Sequence, residues 1–378
     1  MTPRLPTRLY YLDALRAFAM LYGILVHVTT LDRPPGLAWI PLSSSYFRMG
    51  LFFLVSGYFA LMMLQRYSPA EFLRRRAVAL LVPLATGLLV LNPLTNWLVV
   101  TYHNGFHVAF LDAALPLRSS ELGLKGPAVW HLHLWFLFAL FFYVALAPVL
   151  AALIRYMAGP ARRLADAVAA LAPAMAILCI ALFVALASVA LRVAYHLTFE
   201  ALSDRSLFSW IGPVTMYYWP FFLTGMALYA HPTLADRFQT VSLAALAFGI
   251  VIAFTEMRME IGGSVGEVVQ IFARAFCTVT VIAVLMAIFR RWLDRPTGLS
   301  ATAGYIYSVY IMHYMVIYLT AHALRPLGLG SYATFLLVTA ITFPAVFAIH
   351  RYVIKPVPLL EFLLNGKPMT ARPALRQS

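Results

Sequence analysis

Leu9-Tyr10-Tyr11-Leu12-Asp13-Ala14-Leu15-Arg16-Ala17-Phe18-Ala19-Met20-Leu21-Tyr22-Gly23-Ile24-Leu25-Val26-His27-Val28-Thr29-Thr30 is the stretch on which the reading of this chain turns. It is an apolar run of about 22 residues, enough helix at about 1.5 Å per residue to cross a hydrocarbon core of about 30 Å. Yet it carries an Asp, an Arg and a His. That length and polarity set it apart from a cleaved signal peptide, so it is expected to be a retained first membrane span. The rest of the chain agrees with a membrane setting. Its 378 residues are 62% apolar and 11% charged, with a mean hydropathy of +0.83, whereas soluble domains carry about 25% charged residues. The solvent for most of the chain is therefore the lipid bilayer.

At about 20 residues per crossing, the sequence divides into ten apolar runs, near 9–30, 47–65, 78–101, 134–154, 166–191, 208–230, 239–255, 268–289, 303–322 and 331–353. These predict an all-α integral membrane protein of ten helices in one bundle. With an even number of spans both termini share a side, and the basic residues choose it. The terminal segments and the loops on their side hold 18 Lys or Arg, against seven in the opposite loops. By the positive-inside rule both termini are cytoplasmic, while loops 31–46, 102–133, 192–207, 256–267 and 323–330 face outward. The net charge of +14 is thereby explained without a nucleic-acid partner. Cys179 and Cys277 both lie in apolar runs and supply neither a disulfide framework nor a metal site. There is no repeat and no linker, so residues 1–368 read as one domain and 369–378 as a flexible cytoplasmic tail. Asn92-Pro93 interrupts the third run and predicts a kink or two half-helices there.

Ionisable groups inside spans are costly and usually face the bundle interior, so each is a candidate site residue. Arg16 and His27 are 11 residues apart, which places them within roughly 20° on one helix face and roughly 16 Å apart along it. Asp13 is one turn before Arg16, within pairing distance. The structural alternative has Arg16 snorkelling to the headgroups and His27 capping the outer end. His133 and Trp135 sit at the outward end of the fourth span, as channel lining or as an aromatic belt. Tyr310 and His313 interrupt the ninth. Ser56-Gly57 allows a second backbone to approach, so packing is the plainer role for Ser56. Arg274 follows Glu267 by seven residues, a separation that argues for other partners.

No phosphate loop, His-Glu-x-x-His zinc pattern or Gly-x-Ser-x-Gly elbow occurs, and no permanently bound cofactor or metal is expected. A transporter or flippase for a glycan or small anionic solute would also use embedded Arg, Asp and His with broken helices.

Four motifs in order carry a family likeness: Leu12-Asp13-x-Leu15-Arg16 with His27 following, Phe52-Phe53-Leu54-Val55-Ser56-Gly57-Tyr58, His133-Leu134-Trp135-Phe136-Leu137, and Tyr310-Ile311-Met312-His313. The chain resembles the membrane acyltransferase-3 family from about residue 9 to 368. Phe47-Arg48-Met49, Tyr218-Trp219-Pro220-Phe221-Phe222 and the terminal Pro358-Leu359-Leu360-Glu361-Phe362-Leu363 with Gly366-Lys367-Pro368 are most similar to members that succinylate osmoregulated periplasmic glucans. The resemblance implies an O-acyltransferase of the bacterial inner membrane. It would take succinyl or acetyl from a cytoplasmic acyl-CoA, succinyl-CoA in the first instance, to hydroxyls of a periplasmic glucan. The family's Arg and His pair maps onto Arg16 and His27. Its cytoplasmic Arg-x-x-Arg maps onto Arg76 and Ala79, so the second Arg is missing.

On this reading Arg74, Arg75, Arg76 and Arg48 hold the donor by charge-assisted hydrogen bonds, and Arg16, oriented by Asp13, marks the inner mouth of a polar channel. His27, whose unperturbed pKa of about 6.5 leaves it neutral near pH 7, is the general base. His133, Trp135, Ser56, Tyr310 and His313 line the channel or meet the acceptor. Direct transfer and an acyl-His intermediate both remain open.

Overall fold

In the computed structural model, residues 8–114, 123–126, 129–203, 210–259 and 261–369 are described. The tail expected over 369–378 falls outside them from residue 370 onward. Among the described residues every regular element is helical, as lipid requires of a chain with no closed barrel, since a helix satisfies its own backbone groups.

A helix occupies each of the ten predicted runs. Seven stretches are both long and apolar enough to cross a membrane: Tyr10–Val28, Trp39–Leu64, Pro69–Asn104, Leu132–Tyr156, Pro173–Phe199, Gly263–Leu293 and Ser331–Ile354. Pro232–Phe238 and Leu243–Arg258, bent by 71° at their junction, make an eighth if taken as one span. The count of ten is thus not reached on these criteria. The two others, Ile211–Ala230 and Ile306–Leu324, are 20 and 19 residues long. They have the length and lack the apolarity, because Thr215, Tyr217, Tyr218, Trp219 and Thr224 in one, and Ser308, Tyr310, His313 and Tyr314 in the other, dilute the aliphatic residues.

The chain folds as two compact units, each built from three separate stretches. The first comprises residues 1–23, 39–72 and 142–304, the second 24–38, 73–141 and 305–378. Three of the boundaries fall inside the Tyr10–Val28, Pro69–Thr86 and Trp135–Tyr156 helices. No linker marks them, which is why the sequence reads as one domain.

In the first unit the Arg48–Leu64 helix packs along Ile211–Ala230. The contact is set by two glycines. A β-carbon at Gly57 would collide with the Phe222 carbonyl, and one at Gly225 with the Leu54 carbonyl. The backbones therefore touch where lipid provides no hydrophobic drive and close packing must supply the attraction. Phe53 and Phe222 both pack on the buried Tyr143 ring, at 5.0 and 5.4 Å, and the Tyr143 hydroxyl donates to the Thr215 carbonyl at 2.5 Å. Pro173–Ser203 and Leu243–Arg258 pack on Gly263–Leu293.

In the second unit Ile306–Leu324 is the hub, packed on Asn92–Asn104 and Ser331–Ala348 and against the short Pro358–Asn365 helix. The irregularity expected at Asn92-Pro93 takes the form of a π-helical turn, Gly87–Leu91, directly before it. Pro93 has no N–H to give the Leu89 carbonyl, and a wide turn absorbs that loss without breaking the rod. Helix faces carrying residues such as Leu89 and Leu197, each 78% exposed, suit lipid.

Substituting Gly225 by Val forces apart the Leu54 and Gly225 backbones, a cost of about 3 kcal/mol by analogy with overpacked cores. Detergent-solubilised Gly225→Val is expected to lose its monodisperse elution and to melt well below wild type, with Gly225→Ala intermediate.

Candidate active site

The second unit gathers three of the predicted histidines around one tyrosine. The Tyr10–Val28 helix delivers His27 from its last turn. A short 3-10 turn, Leu132–Leu134, delivers His133, and the middle of Ile306–Leu324 delivers Tyr310, His313 and Tyr314.

The turn bearing His133 is held by its neighbours. Asn92 donates to the Trp130 carbonyl at 3.0 Å and Asn96 to that of Val129 at 3.3 Å, so both amides of the interrupted third run serve this turn. The His131 ring bonds its neighbour's Leu132 carbonyl at 2.9 Å. Leu132 itself has a φ of 44°, a left-handed conformation costly for a residue with a side chain. Gly87, in the π-turn, lies so close that a β-carbon would come 2.6 Å from Leu134 Cδ1.

The ring centroids of His27, His133 and His313 are 4.9 to 5.9 Å apart. His27 meets the Tyr314 ring edge-on at 4.7 Å. His133 Nε2 is 2.9 Å and His313 Nδ1 2.5 Å from the Tyr310 carbonyl oxygen, and the Tyr310 hydroxyl donates to the His133 carbonyl. A carbonyl only accepts, so both ring nitrogens carry hydrogen. The tautomers follow: in the neutral rings, Nδ1 of His133 and Nε2 of His313 are the basic atoms. His133 and His313 are 7% and 2% exposed, so these atoms sit away from bulk water. No His, Cys, Asp or Glu group among the described residues has the makings of a metal site. The cluster is equipped for proton transfer.

Tyr314 was not foreseen. Its signal was present, since it follows Tyr310 by four residues and shares its helix face.

The remaining predicted residues fall in several places. In the second unit, Arg74 and Arg75 are exposed and line a cavity of about 370 Å³ with Val78, Gly366 and Pro368. Arg76 is half-buried on the same helix. Gly366, with φ of 62°, seats against the backbone of Ala79, where a β-carbon would collide with the Ala79 Cα. The position where the second family Arg is missing is thus covered by the C-terminal segment. Trp135 is half-buried and opens the Trp135–Tyr156 helix.

In the first unit, Asp13 pairs with Arg8 at 2.9 Å rather than with Arg16. The Arg16 guanidinium lies over the Phe52 and Phe59 rings at 5.4 and 5.6 Å, and its buried Nε has no hydrogen-bond partner among the described residues. Ser56 sits beside the Gly57 crossing. Arg48 opens the Arg48–Leu64 helix with its guanidinium against Gly23. It shares the electrostatic surroundings of Tyr218 with Arg274. Glu267 pairs with Arg192 at 2.7 Å, which leaves Arg274 to other partners as its spacing suggested.

The family pattern described as an acyltransferase domain matches residues 9–351. The chain belongs to the acyltransferase-3 family. Several relatives carry the name glucans biosynthesis protein C. That of Escherichia coli O1:K1 is 24% identical over 98% of both chains, and that of Escherichia coli O17:K52:H18 25% identical over 98% of both. That of Salmonella schwarzengrund is 26% identical over 96% of this chain and 95% of its own. No solved structure matches the chain. This acyltransferase is thus a membrane enzyme of acyl transfer, and the family supports that reading over the transport alternative.

In the acyltransferase, Asn92→Ala removes a buried hydrogen bond worth about 1 kcal/mol or more and frees the turn that carries His133. Acyl-transfer rate is expected to fall more steeply than thermal stability. Equal losses of both, or none, would show that the turn does not govern the site.

Proposed function

We propose that this acyltransferase moves a succinyl group from cytoplasmic succinyl-CoA to hydroxyls of a periplasmic glucan, with His27 as general base. The observation that carries the reading is the close group of half-buried His27 with buried His133 and His313 in a chain of this family. The relatives' printed name supports a glucan as the acceptor. The enzyme sits in the bacterial inner membrane with ten spans and both termini cytoplasmic. In support, Ile211–Ala230 and Ile306–Leu324 are long enough, at about 1.5 Å per residue, to cross beside the more apolar helices.

The donor's phosphates sit against Arg74 and Arg75 in the cavity they line, with Arg76 adjoining, and its pantetheine arm reaches into the membrane. The acceptor hydroxyl oxygen attacks the thioester carbonyl while neutral His27 takes the hydroxyl proton. The carbon–sulfur bond breaks as the ester bond forms, and the proton returns to the departing thiolate. Glucan hydroxyl and succinyl-CoA thus become succinyl ester and free CoA. His133 Nδ1 and His313 Nε2, fixed as acceptors by the Tyr310 carbonyl, stabilise the imidazolium that His27 becomes. Tyr314 packs edge-on against His27 and limits its rotation.

Wild type expressed in a host supplying the glucan is expected to add ester-linked mass to it, about 100 Da per succinyl or about 42 Da per acetyl group, and His27→Ala at matched level to lose a factor of about 10² to 10⁴ in rate. Mass spectrometry of the glucan reads both. Unchanged modification in His27→Ala removes His27 as the base, and mass gain of about 42 Da rather than about 100 Da replaces succinyl by acetyl.

Charge reversal of Arg74 and Arg75 together is expected to raise KM for the CoA donor about tenfold or more, as loss of charge-assisted bonds requires, with KM for the glucan unmoved. A change confined to the glucan KM would place the donor elsewhere.

A further inference from the structure

Aromatic rings continue beyond the histidine cluster within the second unit. Tyr314, edge-on to His27, lies 5.5 Å from the Tyr318 ring. Tyr318 meets Tyr102 edge-on at 5.7 Å, and Tyr102 meets His322 edge-on at 5.6 Å. His322 is 4.9 Å from Phe106, which is 5.9 Å from Trp97. Tyr314 and Tyr318 are buried, at 4% and 0% exposed, while Phe106 is 62% exposed. A line of rings therefore leads from the reacting histidine to the open surface.

Polar groups flank the open end. The Tyr102 hydroxyl donates to both carboxylate oxygens of exposed Asp32, at 3.1 and 3.3 Å. The Arg325 guanidinium lies over the Tyr102 ring at 5.8 Å. His322 Nε2 donates to the Leu98 carbonyl at 2.9 Å, which fixes its ring beside Phe106. Asp32, Phe106 and Arg325 come from three stretches that the charge pattern assigns to the outward side.

Ordinary packing accounts for Tyr314 and Tyr318. It does not account for Phe106, since burial would hide it and a membrane-interface belt favours Tyr or Trp, whose polar tips reach water. An exposed phenyl ring beside a carboxylate suits a pyranose: its C–H face lies on the ring, and its hydroxyls donate to the acid. We propose that Phe106, Tyr102 and His322, flanked by Asp32, form a subsite for a sugar ring of the acceptor glycan. The proposal rests on the acyl-transfer reading above and adds where the acceptor binds.

The test uses the full chain in lipid nanodiscs, wild type and Phe106→Ala, Phe106→Leu, Phe106→Trp and Asp32→Asn. The probe is the neutral glucan fraction of cells lacking this chain. Equilibrium binding is measured without donor, and KM for glucan and for acyl-CoA separately. Phe106→Ala and Phe106→Leu are expected to weaken glucan binding and raise its KM about tenfold, or about 1.4 kcal/mol, with donor KM unchanged. Phe106→Trp is expected to bind as wild type does, and Asp32→Asn to weaken binding several-fold. Leu keeps the apolar bulk that a lipid anchor needs, so wild-type binding by Phe106→Leu overturns the proposal, as does a rise in donor KM equal to that for glucan. If wild type binds glucan and Phe106→Ala does not, yet no acyl group is transferred, the subsite stands and the acyl-transfer reading falls.

Discussion

The exchange between Tyr310 and His133 is the constraint on which the second unit's histidine cluster depends. The Tyr310 carbonyl accepts from two imidazoles, and the Tyr310 hydroxyl returns a bond to the His133 carbonyl. One residue thereby fixes the tautomers of two rings and ties the His133 turn to the Ile306–Leu324 helix. In a region excluded from water a hydrogen bond gains strength and an unmade one becomes expensive. The arrangement has few alternatives, which holds the histidines at 4.9 to 5.9 Å. Much of the surrounding irregularity serves this turn: the π-turn and Gly87 let Leu134 close in, and the Asn92 and Asn96 amides bind the two carbonyls before it.

A second constraint acts midway along the Pro69–Thr86 helix. Gly366 fits against Ala79 only without a side chain, and the segment that carries it is secured by Asn365, whose side-chain oxygen accepts from the Ser308 N–H at 3.0 Å. Ser308 in turn shares a 2.9 Å hydrogen bond with His350, whose ring stacks on Tyr305 at 4.2 Å. The C-terminal segment is therefore a wall of the Arg74 and Arg75 cavity rather than a loose end. The absence of a second family Arg at position 79 has a steric counterpart here, since the C-terminal turn occupies the backbone at that position.

What the sequence made legible was whatever depends on composition or on helical period. Apolar runs located every long helix, and embedded polar residues named His27, His133 and His313 before any geometry joined them. The ten-span count outran the observed apolarity because Ile211–Ala230 and Ile306–Leu324 carry so many ring and hydroxyl residues, the same ones that make them useful to a site. The division into two units was invisible because it cuts through continuous helices. Pairing was the weakest inference. Spacing offered Asp13 to Arg16, but Arg8, five residues before it, takes Asp13 at 2.9 Å, a choice set by how the chain enters the helix.

The position of Arg16 shows how a membrane protein keeps a charge available. With Asp13 engaged by Arg8, the Arg16 guanidinium rests over two phenyl rings, which offset part of its desolvation through their negative faces without neutralising it. A carboxylate partner at that point would make a closed ion pair, stable and inert toward a passing anion. Aromatic support instead leaves the full positive charge and the buried Nε donor without a neutralising carboxylate. The cost of holding an unneutralised cation among helices is the reason such residues are rare in spans.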